Sequence, residues 1–428
     1  MKLSITPSGP TLLDADLSIV ASGLAANSEV RFTLTLLHPS AQFHSFAKFE
    51  VPTDGVIDLE RSNAFEGTYT GCDGMGLFSS MSIMPNQRFG SVLTLGNVEG
   101  LVLNYQLHVY DHKGRLLAQQ AIQKFVLDSN VERKEISAGN IRGVLFTPKG
   151  DPNERYPTVI DLFGLGGGCR EHRAAVLAAK GFAVLALGLY NYRTLPKFAT
   201  KVKVEYMKET IEWLLGQPFA SAKCAIVGHS FGAIVGYQAV ARFPGISSIV
   251  ALNGLPHIDC FVSILENGKP LPGFLFRREH VAHVKHVGNV SFYRGMWDKI
   301  LDNEAEEVAK YQIPLENAPT DVAFMIVSGV EDETNPYKRI NEELVGRLRK
   351  ANPLRRIDAH YLPNTGHMID IPHLPQVGVA YTPPNYWAQG GHQYLQCVEQ
   401  RQLWPDIVKF LRETIPLTEK DDFTSSKL

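Results

Sequence analysis

A serine between two glycines, in the sequence Gly-His-Ser-Phe-Gly at 228–232, stands where a strand-like segment meets a helix-like one. Residues 224–227 form a short apolar run before it, and residues 233–243 after it have helical spacing. A turn this tight strains the serine backbone and presents its hydroxyl at the carboxyl end of a strand. The pattern therefore predicts Ser230 as a nucleophile. An ordinary glycine-containing turn between a strand and a helix is the alternative that this pattern alone leaves open.

A serine hydroxyl needs a histidine to take its proton and a carboxylate to orient that histidine. Candidates for both follow Ser230 in the chain, at the ends of predicted strands. Asp332 comes shortly after the apolar run 325–327, and Glu331 beside it is the alternative acid. His367 ends the turn-like sequence Leu-Pro-Asn-Thr-Gly-His that follows the next predicted strand. Ser230, Asp332 and His367 are therefore the predicted nucleophile, acid and base.

Acyl transfer through a serine also creates a negative oxygen, which needs hydrogen-bond donors that are already in place. The backbone N–H of Phe231 is one predicted donor. The second is expected from Gly164 or Leu165, which begin the glycine-rich loop 164–168 after a predicted strand. A dinucleotide-binding loop would carry a glycine in the sixth position, where this chain has Cys169, so we expect no bound cofactor.

Other histidines compete for chemical roles. His229 adjoins Ser230, but the side chain at this position of such a turn points away from the hydroxyl, so we expect it to pack or hydrogen-bond locally. His280, His283 and His286 are spaced by three residues, and a metal site is one interpretation. No cluster of cysteines or carboxylates accompanies them in the sequence. A solvated loop or helix face is therefore favoured, and no metal is expected.

The spacing of apolar residues divides the chain into two parts. In residues 1–135, apolar and polar residues alternate, for example over 30–36 and 101–109, and turn-forming residues are frequent. This pattern predicts an all-β sandwich as the N-terminal domain. The charged segment 132–135 is the predicted linker to the second part.

Predicted strands and helices alternate from residue 136 to 418, which indicates a doubly wound, mostly parallel sheet with helices on both faces. The predicted strands are 143–146, 158–163, 182–187, 224–227, 248–252, 322–327 and 356–361, and the predicted helices are 173–180, 203–215, 233–243, 338–350 and 396–413. Residues 255–318 break the alternation and are expected to form an insertion above the sheet.

The composition is that of an ordinary globular protein. The 428 residues exceed the size of a typical single core, which agrees with two domains. A net charge of -2 gives no general attraction to nucleic acid or to an anionic membrane. Five widely spaced cysteines indicate a reducing compartment. No apolar run has the length of a membrane span, and the N-terminus lacks the apolar core of a secretory signal.

The chain ends in Ser426, Lys427 and Leu428, which form a peroxisomal import signal when they stand at the free carboxyl end. The polar segment 419–428 around them predicts a flexible tail that a peroxisomal import receptor can bind. We therefore expect the peroxisomal matrix as the location, with the cytoplasm as the alternative.

Several segments together resemble the type I acyl-CoA thioesterase / bile acid-CoA:amino acid N-acyltransferase family. The resemblance covers nearly the whole chain and includes Ile-Asp-Leu-Glu at 57–60, Gly-Met-Gly-Leu at 74–77, Asp-Leu-Phe-Gly-Leu-Gly-Gly-Gly at 161–168, Lys-Gly-Phe-Ala-Val at 180–184, Tyr-Asn-Tyr at 190–192, Leu-Pro at 195–196, Leu-Asn-Gly at 252–254 and Thr-Gly-His at 365–367. It implies an immunoglobulin-like β-sandwich followed by an α/β-hydrolase domain. It also implies catalytic roles for Ser230, Asp332 and His367. One departure is Ala233, where the family often has a second glycine.

The resemblance also implies a fatty or bile acyl-CoA thioester as the substrate. Hydrolysis to the free acid and CoA through an acyl-serine is the leading prediction, and transfer of the acyl group to glycine or taurine is the alternative. The N-acyltransferase branch uses cysteine as its nucleophile. An amine attacks an acyl-cysteine thioester more readily than an acyl-serine ester, so Ser230 favours hydrolysis.

Two further alternatives are an esterase or lactonase acting on oxygen esters and a non-catalytic interaction protein on the same fold. Acyl chain length and oligomeric state are left open by the sequence. Five cations lie in neighbouring segments, but none is assigned to the CoA phosphates: Arg170, Arg173, Arg277, Arg278 and Lys285.

Overall fold

The computed structural model describes residues 1–151, 154–259, 263–382 and 384–418. The predicted targeting residues Ser426, Lys427 and Leu428 lie outside these ranges.

Strands dominate the N-terminal part, which contains β1 (Lys2–Thr6), β2 (Thr11–Leu12), β3 (Ser18–Ser22), β4 (Glu29–His38), β5 (Ala41–Glu50), β6 (Ile57–Asp58), β7 (Ala64–Gly67), α1 (Gly76–Ser79), β8 (Ser82–Ile83), β9 (Val102–Asp111) and β10 (Leu116–Phe125).

These strands form two sheets, as predicted for a β-sandwich. One sheet has the order β1-β3-β6, and the other has the order β2-β10-β9-β4-β5-β7, with β8 paired to β5. Every second residue of β4 and β5 is buried, which is the alternation that the sequence shows. Ile19 and Ile57 of the first sheet share one apolar cluster with Phe32 and Leu107 of the second, so the two sheets enclose a common core.

The second part begins with β11 (Val131–Ala138), β12 (Ile141–Pro148), β13 (Tyr156–Leu162), α2 (His172–Ala178), β14 (Ala183–Leu187), a 3-10 turn (Ala199–Lys201), β15 (Val202–Lys203), α3 (Val204–Leu215), β16 (Ala220–His229), α4 (Phe231–Val240) and β17 (Ile246–Leu252). It continues with β18 (Ile264–Glu266), β19 (Lys269–Pro270), α5 (Arg278–Val281), β20 (Lys285–Val287), β21 (Val290–Phe292), α6 (Arg294–Ala309), a 3-10 turn (Leu315–Asn317), β22 (Ala323–Gly329), α7 (Tyr337–Ala351), β23 (Ile357–Leu362), β24 (Val379–Thr382), β25 (Asn385–Ala388) and α8 (Gln393–Thr414).

Eight of these strands form one sheet with the order β11-β12-β14-β13-β16-β17-β22-β23. Strand β12 is antiparallel to both of its neighbours, and the strands from β14 to β23 are parallel. Helices α2 and α8 share an apolar cluster with one face of the sheet, and α3, α4 and α7 share one with the other face. This is the doubly wound arrangement that the alternation of elements predicts, and it agrees with the α/β-hydrolase domain that the family resemblance implies.

The prediction that residues 132–135 form a linker is wrong. They lie inside β11, which pairs with β12 from Val131 opposite Pro148 to Ala138 opposite Ile141. Because β11 is the edge of the sheet, the side chains of Glu132, Lys134 and Glu135 stay exposed while Val131 and Ile136 are buried. Arg133 instead pairs with the buried Glu171 at 2.8 Å. The N-terminal part therefore ends with β10, and the first strand of the large sheet starts before residue 135.

The predicted insertion at 255–318 contains β18 to β21, α5 and α6, but a distant segment completes it. Strand β21 pairs with β25, and β25 with β24, in a four-stranded sheet of order β20-β21-β25-β24. The rings of Tyr293 and Trp387 stack with centroids 4.7 Å apart and join the two segments. We call the described residues of 255–318 and 379–388 together the cap. Among the described residues, no helix is both long and apolar enough to cross a bilayer.

Candidate active site

Ser230 lies in the turn between β16 and α4 with φ 53° and ψ -118°, a conformation that non-glycine residues rarely adopt. The two flanking glycines make the turn possible. A Cβ atom on Gly228 would lie 2.6 Å from Ala233 Cα, and one on Gly232 would lie 2.6 Å from the Leu162 carbonyl oxygen. The strand, the serine and the helix therefore pack so closely that a side chain at either glycine position would clash with the backbone.

The structure brings the three predicted catalytic side chains into one hydrogen-bonded line. Ser230 Oγ lies 3.1 Å from His367 Nε2, and His367 Nδ1 lies 2.7 Å from Asp332 Oδ2. Asp332 is completely buried, whereas the alternative acid Glu331 is exposed. In this arrangement the histidine ring can accept the serine proton while the carboxylate orients it and stabilises its charged form.

The second oxygen of Asp332 is held by the residues that follow it. Asp332 Oδ1 accepts hydrogen bonds from the backbone N–H and the hydroxyl of Thr334, each at 2.6 Å, and from the N–H of Asn335 at 3.2 Å. Thr334 Oγ1 also lies 3.0 Å from His367 Nδ1. These bonds fix the carboxylate in the plane that the histidine needs. Thr334 was not identified from the sequence.

His229 supports the backbone of the base instead of competing with it. Its Nε2 donates to the His367 carbonyl oxygen at 2.8 Å, which agrees with the expected local hydrogen bond. Burial, together with the nearby His367 ring, lowers the pKa of His229 to about 3. The ring is therefore neutral at physiological pH and acts as a donor.

Asn253, the residue after β17, joins the loops that carry the acid and the base. Its side-chain Nδ2 donates to the carbonyl oxygens of Gly366 and His367, each at 2.9 Å, and its Oδ1 accepts the N–H of Gly329 at 2.8 Å. Asn253 is fully buried and has φ 46°. The Leu-Asn-Gly segment at 252–254 was noted only for its family resemblance, and its sequence carries no other sign of this role.

The glycine-rich loop lies against Ser230, the predicted nucleophile. A Cβ atom on Gly164 would lie 3.2 Å from Ser230 Cβ, so the loop backbone reaches the serine directly. Among the described residues, the N–H groups of Phe231, Gly164 and Leu165 form no hydrogen bond with the backbone of another turn or loop. The Tyr190 hydroxyl donates to the Leu165 carbonyl and anchors the loop. Phe231 follows Ser230 directly and Gly164 packs against it, so these two N–H groups stay candidates for binding the negative oxygen.

Tyr337, the first residue of α7, is a further side chain at the site. Its ring lies beside that of His367 with centroids 5.8 Å apart, and its hydroxyl accepts a hydrogen bond from Asn335 Nδ2 at 3.2 Å. Burial raises the pKa of Tyr337 well above its ordinary value, and hydrogen bonding with Ser230 lowers it only in part. The phenol therefore stays protonated beside His367. No sequence signal pointed to it.

A network of buried charges lies behind the glycine-rich loop. Arg173 of α2 pairs with Asp161 of β13 at 2.6 Å, and His172 Nε2 lies 2.8 Å from Asp370 Oδ2. Burial favours the neutral acid at Asp370, but His172 and Arg173 outweigh it and hold the pKa of Asp370 well below its usual range. The network connects the strand before the glycine-rich loop to the segment that follows His367.

The three histidines that are spaced by three residues in the sequence do not come together at one site. His280 is buried with its Nε2 2.8 Å from Glu304, and the ligand atoms of Glu279, His280 and Glu304 lie within 4.8 Å of one another. The guanidinium of Arg277 contacts Glu279 at 2.6 Å and Glu304 at 2.5 Å, so a cation already bridges the two carboxylates. The other two members of the triplet, His283 and His286, are exposed.

Comparison with known proteins identifies the family. Residues 202–416 match the profile described as "BAAT / Acyl-CoA thioester hydrolase C terminal", and residues 14–138 match "Acyl-CoA thioester hydrolase/BAAT N-terminal region". The chain belongs to the acyl-CoA thioester hydrolase/BAAT family. The C-terminal family profile spans Ser230, Asp332 and His367, whereas the glycine-rich loop falls between the two profiles.

Relatives within this family carry two different activities in their names. Acyl-coenzyme A thioesterase 5 of Mus musculus is 29% identical over 422 residues, with 96% of each chain covered. Bile acid-CoA:amino acid N-acyltransferase of Mus musculus is 30% identical over 429 residues, with 96% of this chain and 97% of that one covered. Among solved structures, an esterase of Pyrococcus furiosus is similar with a TM-score of 0.41 at 14% identity, covering 67% of this chain and 91% of that one.

Proposed function

We propose that this protein is an acyl-CoA thioesterase that hydrolyses fatty acyl-CoA to the free fatty acid and CoA. The observation that carries the proposal is the hydrogen-bonded line of Ser230, His367 and Asp332 in a member of the acyl-CoA thioester hydrolase/BAAT family. The proposed reaction uses no cofactor, since CoA is part of the substrate.

In the proposed acylation step, Ser230 Oγ attacks the thioester carbonyl carbon and its proton passes to His367 Nε2. The N–H groups of Phe231 and of Gly164 or Leu165 stabilise the negative oxygen of the tetrahedral intermediate. The carbon–sulfur bond then breaks, and the CoA sulfur leaves with the proton from His367. This step gives free CoA and an acyl ester on Ser230.

Deacylation repeats the same proton transfers with water as the nucleophile. His367 takes a proton from the water as it attacks the acyl carbon, and it returns this proton to Ser230 Oγ when the ester bond breaks. The products are the free acid and the original enzyme. Asp332 orients His367 and stabilises its positive charge.

Transfer of the acyl group to glycine or taurine is the second candidate, because relatives named as N-acyltransferases are 30% identical to this chain. In that reaction an amine replaces water in the second step. An acyl-serine ester is a poorer acceptor for an amine than an acyl-cysteine thioester, so the serine at position 230 supports hydrolysis as the main activity.

The deciding experiment follows thiol release from short, long, branched and bile acyl-CoA, with and without glycine or taurine, and identifies the acyl product by mass. We expect free acid under both conditions, and loss of the activity in Ser230→Ala by at least about a thousandfold. An amide product would make the protein a serine-based acyltransferase. Absence of thiol release from every CoA ester would favour an oxygen-ester hydrolase or a non-catalytic protein.

We also propose that the protein acts in the peroxisomal matrix, on the basis of Ser426, Lys427 and Leu428 at the end of the sequence. The test compares the intact protein, tagged at its N-terminus, with a variant that lacks these three residues. We expect the intact protein to colocalise with a peroxisomal marker and the shortened one to be cytoplasmic. Cytoplasmic location of both would contradict the proposal.

A further inference from the structure

Arg170 lies on the glycine-rich loop beside the candidate active site. Its guanidinium carbon is 5.0 Å from the centre of the Phe163 ring, and a Cβ atom on Gly166 would lie 3.3 Å from its Nη2. Phe163 directly precedes Gly164, which contacts Ser230. The arginine is therefore held against an aromatic ring on the loop that leads to Ser230.

The charge of Arg170 lacks the carboxylate partner that Arg173 and Arg277 have. Arg173 pairs with Asp161, and Arg277 pairs with Glu279 and Glu304. Within the part of the chain that the structure describes, Arg170 forms no ion pair within 4.0 Å, although it is only partly exposed. A guanidinium that is removed from water without a hydrogen-bonded anion is energetically costly, so this position is suited to an anionic ligand.

The location of Arg170 indicates which part of the substrate would meet it. The Phe163 ring on which Arg170 packs lies 5.4 Å from the His229 ring, and the His229 ring lies 5.2 Å from the His367 ring, so the guanidinium is on the side of the loop that carries the proposed base. Burial lowers the pKa of Arg170, and the nearby Asp370 carboxylate opposes that effect. Asp370 follows His367 by three residues. Since His367 gives its proton to the departing sulfur, the leaving group lies on this side of Ser230.

We propose that Arg170 binds a phosphate group of the CoA moiety and positions the leaving group of the substrate. This inference rests on the proposed thioesterase function. A planar guanidinium can donate two parallel hydrogen bonds to phosphate oxygens, and its stacking on Phe163 fixes the plane in advance. The phosphate is either the pyrophosphate or the 3′-phosphate of CoA, which share the same chemistry.

The test measures kcat and KM of the full-length protein for one acyl group presented on CoA, on 3′-dephospho-CoA and on pantetheine, which has no phosphate. The variants are Arg170→Ala and Arg170→Lys, which keeps the charge but loses the planar fork. The matched control is Arg31→Ala, because Arg31 is an exposed arginine that lies 5.2 Å over the Tyr110 ring in the N-terminal sheet.

We expect Arg170→Ala to raise KM for acyl-CoA about tenfold, as for the loss of one charged hydrogen bond, and Arg170→Lys to have a smaller effect. KM for the pantetheine thioester should stay within about twofold of the wild type, as should both values in Arg31→Ala. An effect that disappears with dephospho-CoA would identify the 3′-phosphate, and one that persists would identify the pyrophosphate.

Equal changes for the CoA and pantetheine thioesters would overturn the assignment, because they would show that Arg170 supports the loop rather than binding phosphate. Unchanged KM for acyl-CoA in Arg170→Ala would overturn it as well. Both results differ from a failure of the proposed function, in which the wild-type protein would release no thiol from any of the three thioesters.

Discussion

At the scale of single residues, Ser230 lies near two side chains with different chemistry. His367 Nε2 lies 3.1 Å from Ser230 Oγ and is the proposed proton acceptor, and the Tyr337 ring lies beside His367 with its phenol protonated. A neutral phenol beside Ser230 Oγ can hold the oxygen in the direction of attack and share its negative charge as the proton leaves. Tyr337 is therefore a positioning residue of the proposed reaction.

Replacing Tyr337 with phenylalanine tests this role, because the ring against His367 is kept and only the hydroxyl is lost. We expect kcat for acyl-CoA hydrolysis to fall about tenfold, as for the loss of one hydrogen bond, with KM within about twofold of the wild type. Labelling of Ser230 by a fluorophosphonate should slow by a similar factor. The matched control is Tyr361→Phe on β23, away from the serine, which should leave both rates unchanged. Wild-type kcat and labelling in Tyr337→Phe would exclude the role.

At the scale of elements, the sequence predicts most accurately the features that are set by local patterns. The turn at Ser230 needs glycine at the two flanking positions, because an added Cβ atom at either one would lie 2.6 Å from backbone atoms. This requirement is local and is visible in the residue types. The buried strand β14 likewise follows from an unbroken apolar run, since a central parallel strand is covered on both faces.

Features that depend on distant partners were not predictable in the same way. The segment 132–135 is charged because it lies on the edge strand β11, and an exposed edge and a linker have similar composition. Strands β24 and β25 are short and become part of the cap only by pairing with β21. Asn253 acts through the carbonyl oxygens of loops far along the chain, so its residue type alone does not reveal its contacts.

At the scale of the whole molecule, α8 connects the candidate active site to the N-terminal sandwich. On one side, Gln396 accepts the N–H of Gly366 at 2.9 Å and donates to the carbonyl oxygen of Met368 at 2.6 Å, which fixes the backbone on both sides of His367. On the other side, Trp404 Nε1 donates to Asp14 at 2.9 Å, and Arg401 pairs with Asp73 at 2.9 Å. The N-terminal domain therefore stabilises the helix that holds His367, the proposed catalytic base.

A substitution at Asp14 tests whether the contacts between the N-terminal domain and α8 affect His367. Its buried carboxylate accepts from Trp404 and lies 2.8 Å from Lys180 Nζ, so Asp14→Ala leaves a buried indole N–H without its acceptor. We expect the free energy of unfolding to fall by about 1–3 kcal/mol, measured by urea denaturation, and kcat to fall while KM changes little. The control Glu66→Ala removes an exposed partner of Lys48 and should cost less than about 1 kcal/mol, with kcat unchanged. If Asp14→Ala loses stability but keeps full kcat, the sandwich stabilises the fold without affecting the base, and α8 does not transmit its contacts to His367.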